Sequence, residues 1–246
     1  MGGKSRLGRV IYKQLLVLES KIGGGPRPYL EPFVGMCGVM RHVAADGTRA
    51  CFASDINKDL VCMWQKVQTG WTPPLACTIE RYNQLKTSKR ASAERGFIGI
   101  VGTFGAVFFA GGCRLGSTKR DYLAEGRRSL LKMKDTIQTV DFMPAASYDT
   151  FDPQGFLIYC DPPYANCRVS KLFDSFDSAK FWETMREWSK NNIVVVSESS
   201  APPDFKILWE HTSVSGITNN SRGAGVRKYA DCLYIYTGPG SLTANF

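Results

Sequence analysis

The strongest constraint on this fold is a strand that stops abruptly, in the stretch FLIYCDPPYA from Phe156 to Ala165. Phe156 to Tyr159 are apolar and read as a buried strand, which Asp161-Pro162-Pro163-Tyr164 then breaks. Two consecutive prolines fix their own φ and carry no amide hydrogen, so a stiff loop must follow. A carboxylate, Asp161, and an aromatic ring, Tyr164, are thereby held at a strand's C-terminal end, the edge where open α/β sheets receive ligands. Asp161 and the Pro162 carbonyl can each accept one hydrogen of an amino group, while Tyr164 offers a face to a planar ring. Asp-Pro-Pro also occurs in ordinary turns; the apolar strand before it and the tyrosine after it make this instance more specific. An Asp in such a loop is expected to be exposed and ionised, with an ordinary pKa of about 3.9.

The remaining elements arrange themselves around that strand. A Gly2-Gly3-Lys4 turn precedes a helix with apolar positions at Leu7, Val10, Ile11, Leu15 and Leu18, which Gly23-Gly24-Gly25-Pro26 ends. A short strand then runs into Glu31-Pro32-Phe33 and a strand-to-helix turn bearing Gly35 and Gly38, where backbone can approach a ligand closely. The GxGxxG dinucleotide fingerprint is missing, which disfavours a nicotinamide dehydrogenase. A second strand, Ala50 to Ser54, ends at Asp55, twenty residues after Gly35. An acid there suits ribose hydroxyls and equally suits capping the helix that begins near Ile56 and Asn57. Further strands are expected at Thr139 to Met143, Ile193 to Ser197, Phe205 to Trp209 and Cys232 to Tyr236, with a helix from Ser178 to Lys190.

Charge is concentrated between these halves. The net charge is +9, and Glu80 to Lys134 hold twelve Lys/Arg against four acids, so +8 lies in one segment. That distribution predicts a polyanion-binding insert, residues 69–134, between two parts of one α/β domain, 1–68 and 135–246. Arg95, Arg114, Lys119, Arg120, Arg127 and Arg128 are its candidate phosphate contacts. Asn220, Arg222, Arg227 and Lys228 form a second candidate group in a later glycine-bearing loop. Within the insert, Gly96 to Cys113 interleaves glycines and aromatics without a helical or strand period, which reads as a compact platform packed on itself. Phe104, Phe108 and Phe109 read as its small core rather than as base-stacking rings. Eight Cys without a CxxC pair, and only two His, disfavour a zinc site and suit reduced thiols inside a cell. No run approaches the ~18 apolar residues of a membrane span, and no signal peptide opens the chain.

In chain order, MGGKS, EPFVGMCGV, SDINKDL and IYCDPPYA resemble the motifs of the Dam-like DPPY (alpha-group) adenine-specific DNA methyltransferases. NNSRGAGVRKYADCLYIY looks like that family's late basic loop and closing strand. The RYGYNG-like element associated with GATC readers is missing; GTFGAVFFAGG and SESSAPPDFKILWE resemble the shorter inserts of phage enzymes. The resemblance implies an α/β, Rossmann-like mixed sheet with helices on both faces and S-adenosylmethionine as cofactor. It also implies site-specific methylation of the 6-amino group of a flipped adenine in double-stranded DNA, by a monomer or weak dimer in the cytoplasm without a metal. Gly2, Gly3, Lys4, Glu31, Pro32 and Phe33 would line the cofactor, together with Gly35, Gly38, Asp55, Ile56 and Asn57. Asp55 would hold the ribose, Ser147 and Tyr148 would lie near the cofactor's adenine, and Asp161 would face both cofactor and target amine. Pro162, Pro163 and Tyr164 would complete the catalytic loop. Cytosine, RNA or single-stranded DNA as acceptor, or a catalytically inactive DNA-binding protein of the same fold, are the alternatives.

Overall fold

A computed structural model of the chain describes residues 3–115, 120–163, 176–214 and 228–246. Helix α1 (Gly8–Ile22) buries Ile11, Leu15 and Leu18, the one-sided spacing of an amphipathic helix. It stops where Gly23 takes a φ of 81°, which a side chain rarely tolerates. Strand β1 (Tyr29–Glu31), helix α2 (Met40–Asp46), strand β2 (Cys51–Ala53) and helix α3 (Lys58–Gln68) follow. Asn57, not Asp55, caps α3: its side chain accepts a hydrogen bond from the Asp59 amide. Asp55 is thereby released for another task.

After the insert come β3 (Val140–Phe142), β4 (Leu157–Cys160), helix α7 (Ser178–Trp188) and β5 (Ile193–Glu198). Two long strands close the chain, β6 (Phe205–Val214) and β7 (Lys228–Tyr236), each reaching well past its expected bounds. The fold is a mixed, Rossmann-like α/β sheet in the order β3-β2-β1-β4-β5-β7-β6. β7 alone runs antiparallel to its neighbours, β5 and β6. That single reversal matters, because the start of β7 then lies at the edge where the parallel strands end, with Cys232 opposite Glu198. β4 and β5 are buried at every residue, as strands covered on both faces must be. One face packs Leu15, Trp64 and Phe97 against the sheet; the other packs Tyr148, Phe181 and Trp182.

The insert differs from its expected form. It is helical, with α4 (Ile79–Thr87), α5 (Ala93–Val101) and α6 (Tyr122–Leu131), and its core is continuous with that of α1 and α3. Glycines sit inside these helices because neighbours come too close for a side chain. A Cβ on Gly96 would lie 2.3 Å from the Asp59 carbonyl oxygen of α3, and one on Gly126 would lie 2.6 Å from Val101. Gly96→Ala should therefore force α5 off α3 at a cost of roughly 1–3 kcal/mol. Thermal unfolding measures it, and an unchanged midpoint would show that α5 shifts freely. The aromatics divide as well: Phe109 is buried and meets Phe108 at 4.9 Å, whereas Phe104 is 69% exposed and belongs to no core.

Candidate active site

Segments distant in sequence meet at the C-terminal edge of the sheet. A tight turn, Gly3–Ser5, brings Lys4 there, and glycine makes its approach possible. A Cβ on Gly38 would stand 3.2 Å from the Lys4 carbonyl carbon, and one on Gly8 2.0 Å from the Gly38 carbonyl oxygen. Arg41 pins the turn by donating to the Ser5 carbonyl at 2.6 Å. Lys4 is buried; its Nζ donates to Asp231 Oδ1 at 2.5 Å and stands 3.9 Å from Asp161 Oδ1.

Asp161 follows β4 directly and is less exposed than a loop aspartate is expected to be, at 24% of its side chain. Burial pushes its carboxyl up to about 6; Lys4 opposes the rise, while the Asp231 and Glu198 charges add to it. At neutral pH it remains mostly ionised. Glu31, at the end of β1, is fully enclosed and accepts the Tyr29 hydroxyl at 2.6 Å. Burial pushes it up to about 8, with the Tyr29 bond opposing and the Asp161 charge adding.

These shifts have a consequence for stability. A carboxyl raised by folding keeps its proton where the unfolded chain has lost it, so stability falls as pH rises towards the folded pKa. Asp161 and Asp55 both reach about 6, which leaves the window from about 6 to about 8 to Glu31. The ligand-free protein should melt lower at pH 8 than at pH 6, and Glu31→Gln should flatten that slope. Equal slopes in the two proteins, measured by thermal unfolding across this range, would show that another group carries it.

Asp55 closes the β2–α3 corner. Its two oxygens accept from the Gly35 and Asn57 amides, each at 2.9 Å, and tie the glycine turn to the end of β2. Burial raises its carboxyl and these two bonds partly offset the rise. Gly35 itself has a φ of 47° and its carbonyl accepts from Trp64 Nε1 at 2.8 Å, so the turn is held from both sides.

Two adjoining cavities share Phe33 and Pro163. The larger, about 670 Å³, is lined by Lys4, Glu31, Gly35, Gly38, Asp55, Asn57, Asp161 and Pro162. The smaller, about 260 Å³, holds Pro32, Ile56, Ser147 and Tyr148. Residues that sequence reasoning missed complete the larger one: Arg6, His211, Asp231 and the Gly105–Phe108 loop of the insert. Arg6 could have been noticed beside Lys4. The others carry no local signal, because β7's reversal and the insert's folding bring them in. Gly2, Tyr164, Lys119, Asn220, Arg222 and Arg227 lie outside the described residues, as does the Lys228 side chain.

The expected phosphate contacts are unequal. Arg95 is braced internally, paired with Asp59, donating through Nε to the Leu85 carbonyl at 2.7 Å and lying over the Phe108 and Phe109 rings. Arg114 donates to the Val101 carbonyl at 2.6 Å and covers the Tyr122 ring; Arg127 donates to the Pro73 carbonyl at 3.0 Å. Arg120 is exposed and pairs with Glu125, and Arg128 is exposed. Among the described residues no group of three His, Cys, Asp or Glu gathers as a metal site. No helix there is long and apolar enough to cross a membrane.

No curated protein sequence matches the chain. Among solved structures it is similar to the rRNA methyltransferase aviRa from Streptomyces viridochromogenes, at 12% identity and a TM-score of 0.44, over 96% of this chain and 86% of that one. Over residues 1–99, from the Gly-Gly-Lys turn through both acidic strand ends into α5, the chain matches the model of the D12 class N6 adenine-specific DNA methyltransferase family.

Proposed function

We propose that this protein transfers a methyl group from S-adenosylmethionine to the 6-amino group of an adenine turned out of double-stranded DNA. The observation that carries the reading is a half-buried, ionisable Asp161 at the end of β4, in one cavity with Glu31 and Asp55. The family match over residues 1–99 supports the same chemistry. The residues present suit the cofactor. The larger cavity gathers four carboxyl groups, those of Glu31, Asp55, Asp161 and Asp231, acceptors for a cationic amino acid end and ribose hydroxyls. Pro32, Phe33, Ile56 and Tyr148 line the smaller with apolar surface fit for a planar adenine. When bound, S-adenosylmethionine supplies an electrophilic methyl on a sulfonium.

Asp161 accepts one hydrogen of the target amine, and the Pro162 carbonyl accepts the other. Both bonds draw the nitrogen lone pair out of ring conjugation. Asp161 does not remove a proton first, because a neutral exocyclic amine is far too weak an acid; the extra proton leaves after the methyl has arrived. Pro162 and Pro163 keep both acceptors in place, which is the positioning such a reaction chiefly needs. Turning the base out costs a few kcal/mol, and a stacking ring at Tyr164 would offset roughly 1–3 kcal/mol of it. The insert's excess of positive charge supplies attraction to the DNA backbone.

The deciding experiment incubates the protein with methyl-labelled S-adenosylmethionine and duplex DNA, then resolves the nucleosides. Label in N6-methyladenine is expected. Label confined to cytosine, or appearing only with RNA or single strands, would move the acceptor; tight DNA binding without transfer would leave an inactive binding protein. The cofactor half has its own test. Asp55→Ala should weaken S-adenosylmethionine by roughly 1.5–3 kcal/mol, the loss of hydrogen bonds to a charged group. Calorimetry on the folded variant measures it, and unchanged affinity would reduce Asp55 to the latch between Gly35 and Asn57.

A further inference from the structure

Asp231 carries no catalytic role in the reading above, yet it touches the ammonium that is ion-paired with the proposed catalytic carboxylate. It lies on β7 one residue before the Cys232–Glu198 pairing, and so reaches the cavity only because β7 is antiparallel. Lys4 Nζ is 2.5 Å from Asp231 and 3.9 Å from Asp161. The buried ammonium donates to Asp231 and keeps Asp161 at ion-pair distance, beyond hydrogen-bond reach. Were it to donate to Asp161, its hydrogen would take one of the carboxylate's lone pairs and compete with a target amine for it. We propose that Asp231 is a positioning residue that holds the Lys4 ammonium off Asp161, leaving the Asp161 carboxylate open to the amino group of the incoming base. The proposal rests on the methyl-transfer reading for its consequence, but not for its geometry.

The charges around Asp161 support this division. Glu31 faces it from β1, Glu198 from β5, Asp231 from β7 and Lys4 from the opening turn. His211 of β6 and Arg6 line the same cavity. Lys4 remains close enough to favour the ionised form of Asp161 without bonding to it. Removing Asp231's charge takes away one influence that raises Asp161 and lets the flexible Lys4 side chain close the remaining distance. Both changes push Asp161 towards easier ionisation, so its protonation should move to lower pH.

The test compares wild type, Asp231→Asn, Lys4→Gln and the double variant, using two readouts. Carbon NMR follows the Asp161 carboxyl through its titration, and single-turnover methylation of saturating duplex DNA follows the rate. With Lys4 present, Asp231→Asn should lower the Asp161 midpoint more than it does in the Lys4→Gln background. The rate at pH 8 should fall by on the order of tenfold, with cofactor and DNA affinities unchanged, as for an interaction felt in the transition state. In the Lys4→Gln background, Asp231→Asn should add little further loss. Equal falls of the Asp161 midpoint in both backgrounds, or the same loss of rate in both, would overturn the proposal. A wild-type protein that transfers no methyl would instead remove the functional reading, and the titration would still decide where Lys4 sits.

Discussion

Asp161→Asn is expected to keep cofactor and DNA binding and to lose two to three orders of magnitude in single-turnover rate. The amide keeps the shape and one carbonyl acceptor, so the ground state changes little. It lacks the negative charge that stabilises the ammonium as the amine nitrogen gains its fourth bond. Removing one such preorganised group costs about 10² to 10³ in rate, which corresponds to roughly 3–4 kcal/mol. The pH profile offers a second check on the same residue. With its carboxyl up to about 6, the wild-type enzyme should lose activity as pH falls through that value, where an ordinary aspartate would stay ionised. An Asp161→Asn protein as active as wild type would take Asp161 out of the mechanism.

Arg95→Met should destabilise the fold strongly and leave the salt dependence of DNA binding intact. Its partner Asp59 is buried and also accepts the Ser92 amide at 2.9 Å, so the change strands a carboxylate between α3 and α5. Removing one member of such a pair costs about 3–5 kcal/mol, which for a chain of this size is a fall of roughly 10 °C in melting temperature. Arg95→Lys should rescue little, because a single ammonium cannot both pair with Asp59 and lie flat over Phe108 and Phe109 while bonding the Leu85 carbonyl. Calorimetric melting and DNA binding across a salt series separate the roles. A stable variant whose salt slope drops by about 0.9 would return Arg95 to the phosphate contacts.

The contrast between these two residues shows what local sequence can determine. Asp161, Asp55 and Glu31 each lie at or just past the end of a short strand, Asp161 and Glu31 directly before a proline, so chain direction places them on one edge of a parallel sheet. The strands that carry these three acids were legible for that reason. Arg95 sits among lysines and arginines that look alike in sequence, and only α5's contact with α3 commits it to Asp59. Gly96, Gly99 and Gly126 stand inside helices because Asp59, Phe108 and Val101 atoms forbid a side chain there, contacts that a lone sequence cannot show. Asp231 and His211 reach the cavity through the reversal of β7 between β5 and β6, a pairing set by long-range hydrogen bonds. Asp161's partial enclosure and raised pKa escape local sequence on the same ground: charge and enclosure around a carboxylate come from residues far along the chain, brought close only when the sheet is complete.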